Sequence, residues 1–254
     1  MAATDIDTDT ENNRLMRLDR ILPSRRSIQD SGALRTGIDR HTHILFGVDD
    51  GIQTLEESLK VLAYEESLGV TDIWCTPHIM MEVPNSTAFL RNRFEQLQHS
   101  YDGCIRLHLG AEYMMDEILV QRLTEGDILT IENDMILVEM SPAGMPYGLE
   151  DILSGIRASG LRPILAHPER YLFLKRTDFL RLKAMGTLFQ LNIPSLTGWY
   201  GKAVRICAEH LLKEGMYSGY GSDCHSFKAI RHQYSEVKIA GEILRRVSLI
   251  DDNM

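Results

Sequence analysis

From Gly37 onward, short apolar runs alternate with stretches whose apolar residues recur every three or four positions. The runs "VTDIWCT", "IRLHLG", "MILVEM", "RPILAH", "TLFQLN" and "MYSGYGSD" are short and rich in β-branched and aromatic residues, and they read as strands. Another strand runs into "DRHTHILFGVDDG", residues 39–51. Between the strands, "TLEESLKVLAYEESLG" carries helix signals. Thr54 and Glu57 are spaced as a capping box, Leu55, Leu59 and Leu62 mark an apolar face, and Gly69 is a terminator. "KAVRICAEHLLKEG" repeats the pattern, with Val204, Cys207, Ala208 and Leu211 inward and Gly215 at its end. Strands alternating with helices imply parallel βα units. About seven strands predict a distorted (β/α)7-type barrel, an α/β fold with its active site at the C-terminal ends of the strands.

The first 36 residues read differently. Residues 1–12 are polar and predicted to be disordered, and "LMRLDRILPSRRS" predicts a short docking helix ending near Pro23. Two regions are expected: an N-terminal extension over 1–36, partly disordered, and a barrel domain over 37–254.

Residues able to bind metal fall where these strands end. On an extended strand His41 and His43 face the same way, so one ion could meet both. His78 ends "WCTPH", Glu112 follows "HLGA", Glu139 ends "ILVE", His167 ends "PILAH", and Asp223 and His225 lie in "GYGSDCHS". Each alone has an ordinary explanation, such as a loop cap, a helix N-cap, a satisfied core histidine or a turn aspartate. Together they would be gathered on one face of a barrel, and unpaired carboxylates at the ends of buried strands are costly unless something positive meets them. His99, His108, His210 and His232 lack this placement and read as structural or surface residues.

Composition narrows the chemistry. The chain has 254 residues, 44% hydrophobic and 25% charged, which suits one large core. A net charge of −9 disfavours a nucleic-acid partner. The four cysteines are widely spaced with no C-x-x-C pair, which fits a reducing cytoplasm. No apolar run is long enough to insert in a membrane, and the acidic N-terminus does not read as a signal peptide. The C-x5-R phosphatase loop, the G-x-S-x-G elbow and the Walker A loop are all absent.

"HTH", "DDG", "TPH", "GAEY", "VEMS", "AHPERY" and "GSDCH" resemble, in order, the motif series of the polymerase and histidinol phosphatase (PHP) superfamily. Within it they are most similar to the bacterial metal-dependent tyrosine-protein phosphatases associated with capsular and exopolysaccharide synthesis. The resemblance runs from about Asp39 to about His225. It implies a distorted barrel with three divalent ions, Mn foremost, with Fe and Zn as alternatives. By the same resemblance His41, His43, Glu112 and Asp223 hold the first ion, and Glu112 bridges to a second completed by Glu139 and His167. His78, His225 and an aspartate of "VDDG" hold the third. Asp50 is chosen because it precedes the glycine, with Asp49 as the alternative. Arg170 of "HPER" corresponds to a phosphate-binding arginine, its other reading being a surface salt bridge.

The four carboxylates would leave a positive site once three divalent ions are bound, as a phosphate dianion needs. Met80, Met81, Trp199 and Tyr200 lie near the expected mouth, where they either pack on a phenyl ring or simply fill their loops. The implied activity is phosphotyrosine hydrolysis, with a tyrosine-autokinase tail as the implied partner. The competing readings are a small-molecule phosphatase of the same superfamily and a non-catalytic metal-binding regulatory module.

Overall fold

The computed structural model describes residues 24–250. The helix and disorder expected before Pro23 lie outside these residues. Strand–helix units follow one another seven times: β1 (Ile38–Thr42) with α1 (Leu55–Leu68), β2 (Asp72–Cys75, resumed at His78–Ile79) with α2 (Thr87–Ser100), and β3 (Arg106–Leu109, resumed at Glu112–Met114) with α3 (Glu117–Glu125). Then come β4 (Met135–Glu139) with α4 (Leu149–Ala158), β5 (Arg162–Ala166) with α5 (Arg176–Ala184), β6 (Leu188–Asn192) with α6 (Lys202–Lys213), and β7 (Gly219–Gly221) with α7 (Phe227–Ser235). The seven strands are those expected from the sequence.

All neighbouring strands pair in parallel, in the order β1 to β7. The circuit closes where Asp223 N donates to His41 O at 2.7 Å and His43 N donates to Cys224 O at 3.1 Å. Two breaks distort the barrel. Pro77 lacks the N–H that a ladder needs and interrupts β2. Gly110 and Ala111 interrupt β3, whose first half pairs with β2 and whose second half reaches β4. Each break lies immediately before a candidate ligand: β2 resumes at His78 and β3 at Glu112.

Alternation along the strands sorts two cores. Met135 and Leu137 of β4 and Ile164 and Ala166 of β5 join Ile131, Trp74 and Leu188 in a small inner cluster. Their sequence neighbours Ile136, Val138 and Leu165 belong to the large layer shared with the helices. Glu139 continues the parity of Met135 and Leu137, and Gln190 and Asn192 continue that of Leu188.

The buried face of α1 is shifted from the expected one. It is Ser58, Val61, Leu62 and Glu65 that are buried, while Leu55 and Leu59 are only partly covered. Glu65 hides its carboxylate on this buried face. The capping box is half formed: Thr54 accepts from Glu57 N, but the Glu57 side chain accepts from Phe227 N at 3.0 Å instead of returning to Thr54. That contact ties α1 to the start of α7, two residues past His225. In α6, Val204, Ala208 and Leu211 are buried as expected, whereas Cys207 is half-buried and Leu212 takes its place. Before the barrel, Arg25–Arg26 pairs antiparallel with Ile239–Ala240, and the short helix Ile28–Ser31 buries Ile28. Among the described residues, no helix is long and apolar enough to cross a membrane.

Candidate metal centre

The nine candidate ligands converge at the C-terminal end of the barrel. Two donors sharing one ion through ~2.0–2.2 Å bonds stand roughly 3.0–3.6 Å apart, for angles between a right angle and the tetrahedral value. His41 Nε2 and His43 Nε2 are 3.0 Å apart, and Glu112 Oε2 lies 3.1 and 3.2 Å from them. Asp223 Oδ1 is 3.6 Å from His41 Nε2 and 3.5 Å from His43 Nε2. These separations suit four donors around one ion.

A second group shares Glu112. His167 Nε2 is 3.1 Å from Glu112 Oε1 and 3.8 Å from Glu139 Oε2. His78 Nδ1 is 3.2 Å from both Glu112 Oε2 and Glu139 Oε1. A third group forms at the mouth, where Asp50 Oδ1 lies 3.5 Å from His78 Nε2 and 3.4 Å from His225 Nε2. His78 therefore turns one ring nitrogen toward each of two groups. Glu112 Oε2 and His78 Nδ1 are buried with no hydrogen-bond partner, as expected of groups whose lone pairs are meant for a cation. The residues present fit divalent ions.

The adjacent aspartates separate cleanly. Asp49 Oδ2 accepts from His78 N at 3.0 Å and lies 2.8 Å from His43 Nδ1, while its Oδ1 accepts from Gly51 N. It thus orients His43 from behind, which leaves Nε2 free to point inward. The Asp50 side chain is 71% exposed and meets the cluster from the solvent side. Gln190 Oε1 does for His41 what Asp49 does for His43, at 2.9 Å from Nδ1. His225 Nδ1 donates to Asp223 O, leaving its Nε2 toward Asp50. Asp39 accepts from His41 N and Ser222 N, fastening β1 to the end of β7.

Sequence reasoning missed Gln190, Asn192 and Asp39. A polar residue at an inward position of an otherwise apolar strand, such as Gln190 in "LFQLN", was the available signal. Two candidate ligands sit in left-handed backbone, His167 at φ 36° and Asp223 at φ 50°. Such geometry costs a non-glycine residue of order 1–3 kcal/mol and clusters at functional sites.

Gly51 and Gly221 press against the two β1 histidines. A Cβ on Gly51 would stand 2.2 Å from His43 O and 2.4 Å from His43 Cβ, and one on Gly221 would stand 2.4 Å from His41 Cβ. Gly51→Ala must therefore move backbone. It is expected to destabilise the protein by about 1–3 kcal/mol and to lower its metal content. Thermal unfolding with metal analysis checks this, and an alanine variant that keeps both would contradict the close approach.

Four carboxylates meeting in so small a volume demand positive charge. Burial disfavours the His41 imidazolium, but Glu112 and Asp223 outweigh it and hold His41 up at about 10. His78 is likewise held at about 9 against burial, by Glu139 and Glu112, and His225 at about 9 by Asp50 and Asp223. The hydrogen bond to His225 brings Asp50 down to about 2. In the metal-free protein, protons thus occupy what cations would take. At pH 7 metal binding should release protons, and affinity should rise with pH until these histidines are neutral, near pH 9–10. Titration calorimetry in buffers of different ionisation enthalpy reads the released protons, and a pH-independent affinity would contradict it.

Arg170 makes an ion pair with the buried Asp223. It follows His167 in a 3-10 turn, and its NH1 donates to Asp223 Oδ2 at 3.1 Å. Asn192 Nδ2 donates to the same oxygen at 2.7 Å and Tyr200 OH at 3.2 Å. Beside them lies a cleft of about 360 Å³ lined in part by Arg170, Pro194, Trp199, Tyr200, His225 and Ile230. Met81 and Trp199 are exposed on loops beyond the strand ends. Burial pushes the Cys75 and Cys224 thiols well above the usual range and Cys207 up to about 11, which disfavours the thiolate at each.

Fold and site together define a seven-stranded β/α barrel with a histidine–carboxylate cluster suited to divalent metal. The chain belongs to the family described as capsular polysaccharide synthesis, CpsB/CapC, whose model matches residues 37–240. It is 30% identical over 209 residues to the tyrosine-protein phosphatase CpsB of Streptococcus agalactiae, covering 74% of this chain and 83% of that relative. It is 28% identical over 198 residues to the tyrosine-protein phosphatase YwqE of Bacillus subtilis, covering 75% and 78%. The fold also matches a chain from the crystal structures of YwqE from Bacillus subtilis and CpsB from Streptococcus pneumoniae, described as unique metal-dependent tyrosine phosphatases. That match has a TM-score of 0.72 at 24% identity, over 85% of this chain and 88% of the other.

Proposed function

We propose that this protein is a metal-dependent phosphatase that hydrolyses phosphotyrosine in proteins, in the regulation of capsular or exopolysaccharide synthesis. The observation that carries the reading is the convergence of nine nitrogen and carboxylate donors on one barrel end with the Arg170 guanidinium beside them, in a family whose relatives bear that activity. His41, His43, Glu112 and Asp223 would hold one divalent ion. Glu112, Glu139 and His167 would hold a second, and Asp50, His78 and His225 a third. His78 Nδ1 also faces the second group. Nitrogen and oxygen ligands of this kind admit Mn, Fe or Zn, and the family resemblance puts Mn first. Bound there, such ions would polarise phosphoryl oxygens and lower the pKa of water at the site.

The chain's own residues do the rest. Asp49 and Gln190 fix the two β1 histidines in the tautomer that presents Nε2. Arg170 offers a fork of donors to the phosphoryl oxygens, matching the charge that grows as the ester bond loosens. The cleft beside it gives room for the leaving group. With Cys75, Cys207 and Cys224 held as thiols by burial, and Cys104 lying just before the start of β3 and so away from the strand ends that carry the cluster, water is the nucleophile that this reading requires.

The partner would be a phosphotyrosine-bearing polypeptide, of which the tail of a bacterial tyrosine autokinase is the candidate, and the free thiols fit the cytoplasm. The test compares phosphotyrosine and phosphoserine in peptides of the same sequence. Every histidine near the cluster is committed to a carboxylate or a ligand position, which leaves no obvious proton donor for an alkoxide. A phenolate with pKa ~10 needs little help to depart. The phosphotyrosine peptide should be turned over with kcat roughly tenfold higher or more, since metals and Arg170 would grip both phosphoryl groups alike. Equal kcat values would favour the small-molecule phosphatase reading instead.

A further inference from the structure

Arg170 is useful only if its guanidinium is held at the edge of the cleft and does not collapse fully onto Asp223. The residue placed to hold it is Tyr200. Its ring lies beneath the guanidinium, with Arg170 Cζ 4.6 Å from the ring centroid. Its hydroxyl donates to Asp223 Oδ2 at 3.2 Å, the oxygen that also receives Arg170 NH1. Burial, reinforced by the Asp223 carboxylate, pushes the phenol well above its ordinary range, so at neutral pH it remains a donor. The backbone under this tyrosine is tightly turned. Gly198 and Gly201 both have positive φ, 84° and 95°, and Gly201 N donates to Gly198 O at 2.9 Å. The turn follows the short helix Ile193–Thr197, which starts at the end of β6, so Tyr200 is referenced to the barrel itself.

We infer that Tyr200 is a positioning residue for Arg170: its ring is the platform that fixes the guanidinium over the cleft, and its hydroxyl ties that platform to the ligand candidate Asp223. The inference rests on the reading that Arg170 binds the phosphoryl group. It assigns the main effect to the ring, because Asp223 Oδ2 keeps Arg170 and Asn192 as donors when the hydroxyl is gone. A guanidinium held over an aromatic face in a half-buried site gains an attraction of the order that changes an equilibrium about tenfold.

The experiment measures binding of inorganic phosphate to the metal-loaded full chain by calorimetry, with metal content and Tm recorded for every variant. Tyr200→Phe should bind phosphate within about threefold of the unaltered chain, and Tyr200→Leu should bind about tenfold more weakly. Tyr200→Met, which keeps bulk without a π face, should match Tyr200→Leu and replaces it if the leucine variant does not fold. In an Arg170→Ala background, Tyr200→Leu should cost less than about twofold further, since the platform then has nothing to hold. With p-nitrophenyl phosphate, kcat/KM should follow the same order. If Tyr200→Leu and Tyr200→Met bind phosphate normally while Arg170→Ala does not, the platform is refuted and the role of Arg170 stands. A full tenfold cost of Tyr200→Leu in the Arg170→Ala background would also refute it. If Arg170→Ala itself binds phosphate unchanged, the reading of Arg170 fails and the inference falls with it.

Discussion

Glu112→Gln is expected to cause the largest loss of any single substitution, lowering kcat/KM for an aryl phosphate by on the order of 10³-fold or more, with the loss of at least one ion. The reason is its contacts. Glu112 Oε2 lies within 3.2 Å of nitrogens on His41, His43 and His78, and Oε1 is 3.1 Å from His167. One carboxylate thus serves four histidines and two of the three donor groups. Burial opposes its charge, but His41 and His167 overcome that and hold it well below the usual carboxylate range. Glutamine keeps the shape and removes the charge, and it presents an NH2 where a lone pair is needed. Removing the ions with a strong chelator should reproduce the effect in the unaltered chain, and Mn²⁺ should restore activity. Elemental analysis beside the kinetics decides the matter: a Glu112→Gln variant with a full metal complement and activity within tenfold would sink the proposed site.

The strands and their order were legible because burial alternates along them with a period that side-chain polarity reports directly. β4 shows why. Met135 and Leu137 face the inner cluster, Ile136 and Val138 the helix layer, and Glu139 arrives at the strand end on the inner parity. A carboxylate there stands out against its neighbours. The breaks in β2 and β3 were not anticipated, although Pro77 and Gly110 mark them, because a proline or glycine beside a strand signals its end as readily as an interruption. The face of α1 was misplaced for a different reason. Apolar spacing favoured Leu55 and Leu59, but the barrel wall buries Ser58 and Glu65, whose polarity argued against burial.

The supporting sphere was least legible. Asp49 and Asp50 are chemically identical neighbours, and only the fold of the loop turns one behind His43 and the other toward His225. Gln190 and Asn192 make their contacts across the barrel, with partners 149 and 31 residues away. No local pattern encodes such distances. His167 and Asp223 could not have been recognised as strained from sequence, since left-handed backbone at a non-glycine residue is imposed by the tertiary structure around it.

Arg170→Ala is expected to lower kcat/KM by about 10²-fold while leaving the metal complement intact, the scale seen when one preorganised donor to a developing charge is removed. The prediction turns on Asp223. Arg170 NH1 is one of three donors to Asp223 Oδ2, and Asn192 at 2.7 Å and Tyr200 at 3.2 Å remain when it is gone. Oδ1, the oxygen facing His41 and His43, makes no contact with Arg170 among those described, so the ligand group should hold its place. The loss is then attributable to the phosphoryl group. Arg170→Lys should recover only part of it, because an ammonium supplies the charge without the planar fork or the stack on Tyr200. A drop in metal content equal to the drop in rate would make Arg170 a support for Asp223. Unchanged kinetics with full metal would remove it from the chemistry altogether.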